Sequence, residues 1–305
     1  MPSATRPKTL LRAAMGAAAL GSLLASSMAA AYVRTRSPDG KAALLWSETT
    51  ITMTLRTSGT QVVPAADFDG AARRAAATWS AARLGTSVLF KIASSPDAPA
   101  GTRFDQINAL SFRTDSWNEP VYPEAALALT TVWSRDDQIV DADTEINAAD
   151  PRFKWGVLPD DPALAAMASE VDLQNALTHE LGHVIGLSHP CYLGSPPTPL
   201  EVDDKGEPVL SCSDPALPGS VKTATMFPSS HTGSITERAL SSDEIEALHA
   251  LYPARPMPVA TLGTRGGGCA LAPGPAPPSA APVVLLVGAL GLHRRRRVQP
   301  AALRT

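Results

Sequence analysis

Between residues 179 and 189 the chain reads His179-Glu180-Leu181-Gly182-His183-Val184-Ile185-Gly186-Leu187-Ser188-His189, and no other stretch concentrates so much reactive chemistry. Histidines four apart on a helix lie only about 40° from each other around its axis, so both imidazoles reach one ion from the same face. Glu180 cannot share that face fully, which suits a carboxylate that addresses a water instead of the metal. A third ligand six residues after His183 lies too far along a continuing helix, so the chain has to turn back. Gly186 permits the turn, because glycine takes a positive φ without a Cβ penalty. His189 then meets the ion from the other side. Three histidines form a zinc donor set, and a fourth position left for water marks a catalytic rather than a structural ion.

These residues need elements to hold them. Asp172 is placed to start the helix that carries the motif, and the pattern continues to about Gly186. A second helix is expected after Asp67, read as its cap, with Phe68, Ala71, Ala72, Ala75, Thr78 and Trp79 at helical spacing. A third, Ser242 to Leu251, turns Ile245, Leu248 and Leu251 to one side and stops at Tyr252-Pro253. Strands are expected at Ile51 to Leu55, Val88 to Ala93, Ile107 to Phe112, Ala126 to Trp133 and Ile139 to Ile146, each rich in β-branched or aromatic residues or alternating in polarity. The stretch 156–170 reads as a loop with one short helical turn, and 190–221, dense in Pro, Ser, Asp and Gly, as a surface loop. The expected fold is an α+β domain over residues 44–255, a mixed five-stranded sheet packed with three helices.

The ends of the 305-residue chain do not read as fold. Residues 1–31 have the three parts of a signal peptide: basic Arg6, Lys8 and Arg12, an apolar run, and Ala29-Ala30-Ala31 as a small-residue cleavage site. Residues 32–43 form a short N-terminal segment before the domain. A Pro-, Gly- and Ala-rich linker, 256–279, contains Gly266-Gly267-Gly268-Cys269, and 280–305 joins an apolar run to the cluster Arg294 to Arg297. Setting aside the eight basic residues at the two ends takes the formal charge from −3 to −11, and so acidic a body argues against nucleic acid as a partner. Export makes a structural bridge between Cys191 and Cys212 reasonable, the competing reading being a free thiol at Cys191 that inhibits the metal. Asp141, Asp143 and Glu145 share one strand face, either an ordinary solvated face or a calcium site, and no loop with calcium-ligand spacing accompanies them.

The eleven residues from His179 to His189 fit the metzincin signature, and Ala224-Thr225-Met226-Phe227-Pro228 resembles the methionine turn of that class of zinc metallopeptidases. Leu240, Asp243, Ile245, Leu248 and Tyr252 are similar to the closing helix of matrixins, the matrix-metalloproteinase group, and Ala126 to Trp133 with Ile139 to Asn147 to their edge strand and its neighbour. The resemblance implies a zincin-like catalytic domain and an endopeptidase using one zinc ion, Glu180 as general base and Met226 as an apolar floor under the imidazoles. It also implies a polypeptide substrate lying extended along Ala126 to Trp133. The side chain after the cut bond would enter a pocket walled by the ligand helix and the residues following Met226. Several features depart from matrixins. Pro190 follows His189, as in serralysins; 37 positions separate His189 from Met226; Phe227 stands where some metzincins carry tyrosine; and no further histidine set or cysteine precedes the motif. The tail from 265 to 297 resembles the C-terminal sorting tails of exported myxobacterial proteins, which implies processing near Cys269 by sorting machinery and a cell-surface, outer-membrane or extracellular location. The chain is read as a monomer. A catalytically silent zinc-binding surface module and a zinc hydrolase of small molecules are the competing functions.

Overall fold

The computed structural model describes residues 32–254, apart from 38–39, 59–61, 83–85, 119–121 and 198–199, together with the backbone of 301–304. The expected signal peptide, the glycine-cysteine linker with Cys269, and the arginine cluster lie outside the described residues. Chain order gives β1 (Val33–Arg34), β2 (Leu45–Trp46), β3 (Thr50–Arg56), α1 (Ala65–Ala81), β4 (Leu89–Ser95), β5 (Ala109–Arg113), β6 (Ala128–Arg135) and β7 (Gln138–Asn147). There follow β8 (Trp155–Gly156), α2 (Pro162–Ala165), β9 (Val171–Asp172), α3 (Leu173–Val184), β10 (Leu187–Ser188), α4 (Gly219–Lys222), a 3-10 turn (Thr236–Arg238), α5 (Ser242–Leu251) and β11 (Ala301–Arg304).

The architecture is α+β, with one mostly parallel sheet in the order β11-β6-β7-β5-β3-β4 and β2 added to β7. Only β6 runs against the others. The five strands expected from the sequence are all present, but the sheet has seven members. The two additions were hidden because β2 is too short to show alternation and Ala301–Arg304 lies far from the domain in sequence. β11 pairs antiparallel with Leu129–Val132 of β6. A two-residue turn with positive φ at Asp136 and Asp137 joins β6 to β7, matching the right-handed twist of a tight hairpin.

The core forms where the strands alternate. Ile51, Met53 and Leu55 of β3 are buried while Thr50 and Thr52 face out. Above them lies α1, burying Phe68, Ala71, Ala72, Ala75, Ala76 and Trp79. This face of small alanines lets α1 come close to α3, and Trp79 Nε1 donates to Thr178 O at 2.8 Å. Asp67 does not cap α1, contrary to expectation. The helix starts three residues earlier, at Ala65 behind Pro64, whose fixed φ suits a helix entry, and Asp67 sits in the first turn near the positive end of the dipole. Among the described residues no helix is long and apolar enough to cross a membrane.

The acidic face of β7 is not solvated. The stretch between β4 and β5 folds over it, and the backbone N–H groups of Arg103 and Ala109 donate to Asp143 while those of Asp105 and Gln106 donate to Asp141. Glu145 accepts from Arg113 and from the Tyr122 hydroxyl. Burial pushes the Asp141 carboxyl up, and that of Asp143 to about 7. These backbone donors, on both oxygens of Asp143 and on Oδ2 of Asp141, pin the loop, and a calcium ion there would have to displace them.

Candidate metal centre

α3 is long enough to bring His179 and His183 onto one face because both its ends are secured. At its start, Asp172 Oδ2 accepts from Asn175 N, and the same carboxylate is gripped by both Nε and Nη2 of Arg238 at 2.7 Å. At its end, two residues short of the expected Gly186, Trp46 Nε1 donates to Val184 O at 2.7 Å and the Tyr252 hydroxyl to Ile185 O at 2.9 Å. These bonds satisfy carbonyls that a helix terminus leaves without partners.

Gly186 then turns the chain back at φ +87°, as the sequence required. A Cβ here would run into the backbone carbonyl of Leu44, so position 186 excludes every other residue on two grounds. β10 follows and pairs antiparallel with β1, Val33 opposite Ser188 and Arg34 opposite Leu187, while Thr35 N donates to Gly186 O at 2.8 Å. Residues 32–37, set apart from the domain in the sequence reading, are thus woven into it beside the third histidine. Substituting Gly186→Ala is expected to destabilise the fold by about 1–3 kcal/mol through backbone strain alone, read as a lowered Tm.

The outcome is a triangle of imidazoles. The Nε2 atoms of His179, His183 and His189 stand 3.1, 3.1 and 3.2 Å apart. These are not hydrogen bonds. His179 Nδ1 faces Thr225 O at 2.8 Å and His183 Nδ1 faces Leu187 O at 2.9 Å, and a carbonyl can only accept, so the ring proton sits on Nδ1 and the Nε2 lone pairs converge. Burial, reinforced for His183 and His189 by the neighbouring imidazoles, holds all three pKa values below the ordinary histidine range and keeps the rings neutral. Three lone pairs facing one point repel unless a cation lies between them. Nitrogens about 2.0–2.1 Å from a tetrahedral zinc stand about 3.3–3.4 Å from one another, close to the separations found here. The residues therefore fit a metal ion, and among the described residues this is the one cluster of three or more metal-capable side chains.

Met226 packs against α3 between the first two histidines. A Cβ on Gly182 would overlap Met226 Sδ and press on Trp79, so the thioether is packed directly against the ligand helix beside His183. Gly182→Ala is expected to lower Tm by overpacking, about 1–3 kcal/mol, with zinc content falling as Met226 is displaced. The Met226 loop is itself held by a residue that sequence reasoning missed. Glu244 Oε1 accepts from Met226 N at 3.0 Å, while Oε2 takes Ser241 N in the capping box of α5. One turn thus orients His179 through Thr225 O and packs Met226 against α3.

Glu180 is 1% exposed and sits beside His179 on the wall of a cavity of about 190 Å³. Its Oε2 accepts from Thr130 Oγ1 at 2.5 Å, and Thr130 in turn is 2.9 Å from Thr144 Oγ1. Thr130 is a second residue with no sequence signal, visible only once β6 and α3 are packed. Cys191 and Cys212 form a disulfide with Cα atoms 4.9 Å apart, so the alternative of a free thiol at the metal falls away. The bond closes a loop of sequence separation 21, worth about 3 kcal/mol on the chain-entropy account. Leu193 of that loop forms part of the cavity wall, as does Phe227. No protein-family model matches the chain, and comparison with curated proteins returns no match.

Proposed function

We propose that the chain is a zinc-dependent endopeptidase of the metzincin class, matrixin-like in its edge strand and closing helix. The observation that carries this reading is the convergence of three imidazoles, those of His179 and His183 locked as the Nδ1–H tautomer, beside a carboxylate, Glu180, on the wall of a cavity. His179, His183 and His189 hold the metal. Zinc, when bound, supplies Lewis acidity, lowering the pKa of water and polarising a carbonyl. Glu180 takes the proton of the attacking water and later delivers it to the leaving amine. Thr130 fixes one carboxylate oxygen, so the orientation of Glu180 is set before substrate arrives.

The substrate is a polypeptide that adds as a strand to β6, main chain to main chain, with the side chain after the cut bond in the cavity. Residues 301–304 hold part of the same edge, over Leu129–Val132, so they and a substrate strand exclude each other there. The Cys191–Cys212 bond supports export, since disulfides persist in oxidising compartments, and with it the reading of residues 1–31 as a leader and of Cys269 as a processing site. Incubation of full-length, zinc-loaded protein with casein, followed by mass spectrometry of the products, tests the proposal. Discrete cleavage products are expected. Intact casein at full zinc occupancy would leave only a silent metal-binding module.

A further inference from the structure

The cavity beside Glu180 has a largely apolar lining that also includes a second carboxylate, Glu237. Leu127, Ala176, Leu193 and Phe227 line it together with Asn175, Ser230 and Glu237, which are joined to one another by hydrogen bonds. Glu237 is half-buried in the 3-10 turn. Its Oε2 accepts from Asn175 Nδ2, from Ser234 Oγ at 3.3 Å and from Ser230 Oγ at 3.5 Å, all neutral donors, and none of these bonds reaches Oε1. Arg238, next in the chain, cannot neutralise it, because its guanidinium is turned away and bound to Asp172, Asp160 and Leu158 O.

Asn175 adds a second, independent sign. It is 1% exposed, its amide NH2 is committed to Glu237 and Ser230, and its Oδ1 is buried with no donor. A buried acceptor without a partner is rare in folded proteins and asks for a group to fill it. The lining thus includes a carboxylate with no counter-cation among the described residues and an asparagine whose amide oxygen has no donor, beside apolar groups that suit methylenes. A leucine would fill the walls but leave the carboxylate desolvated and unpaired, and an acidic side chain would be repelled. A long apolar stem ending in a cation with several N–H donors satisfies both parts.

We infer that the enzyme cuts on the amino side of basic residues, the cavity taking the arginine or lysine that follows the cut bond and Glu237 determining that choice. This rests on the peptidase reading. The test uses full-length, zinc-loaded protein and matched peptides that differ only after the cut bond, with Arg, Lys, Leu or Asp there. The ratio of kcat/KM for Arg or Lys over Leu is expected to be at least about tenfold, and Glu237→Gln, which keeps an acceptor for Asn175 but removes the charge, is expected to erase it. Equilibrium binding of the same peptides to Glu180→Gln protein, with and without Glu237→Gln, reads the preference without turnover. Leucine preferred over arginine, or a ratio that Glu237→Gln does not change, overturns the inference and leaves the peptidase standing. No cleavage with the binding preference intact overturns the peptidase reading alone; no cleavage and no preference overturn both.

Discussion

Glu180→Gln protein is expected to match the parent in zinc per chain and to hydrolyse casein roughly 10²–10⁴-fold more slowly. Glutamine has nearly the shape of glutamate and can still accept from Thr130 Oγ1, so the packing of α3 against β6 is kept. What it loses is a site able to take a proton from water. Because Glu180 is not among the three converging ligands, metal content should not follow activity down. Zinc per chain and turnover measured on one preparation check this. A variant that stays within a few-fold of the parent removes Glu180 from the chemistry, and one that loses its zinc makes it a structural residue.

Chelation is expected to abolish hydrolysis outright and to lower Tm, with both restored by zinc. The second effect follows from the geometry: without a cation, three buried lone pairs 3.1–3.2 Å apart repel at the junction of α3, β10 and the Met226 loop. Any ion that binds the folded state alone stabilises it by mass action. His189→Ala should separate the two roles of that junction. It removes one donor while leaving Gly186 and the β1–β10 pairing in place, so the fold persists, zinc per chain drops and added zinc no longer rescues activity. A His189→Ala protein with full metal content and full activity would mean that the third histidine does not serve the ion.

Local signals were legible in the sequence. α5 spans Ser242–Leu251 as the periodicity required, α3 begins at Asp172 as capping chemistry required, and Gly186 takes the positive φ that its place between two ligands demanded. What stayed hidden joins residues distant in sequence. Trp46 reaches Val184 across 138 positions and the Tyr252 hydroxyl takes Trp46 N across 206, pairs that leave no periodicity to find. Thr130 is one threonine among several on a strand until Glu180 arrives opposite it. The acidic face of β7 misled for the same reason, since alternation tells which side chains share a face but not what covers it.

The pairing of Val33–Arg34 with Leu187–Ser188 gives the start of the folded body an effect on a site it never touches. Aminopeptidases shorten a chain from that end. Removal beyond Thr35 would unfasten the strand that delivers His189, and zinc would dissociate faster although every lost residue lies outside the coordination sphere. The position of the amino terminus relative to Thr35 is therefore expected to set how long a molecule keeps a bound ion, read as the zinc dissociation rate of truncated chains.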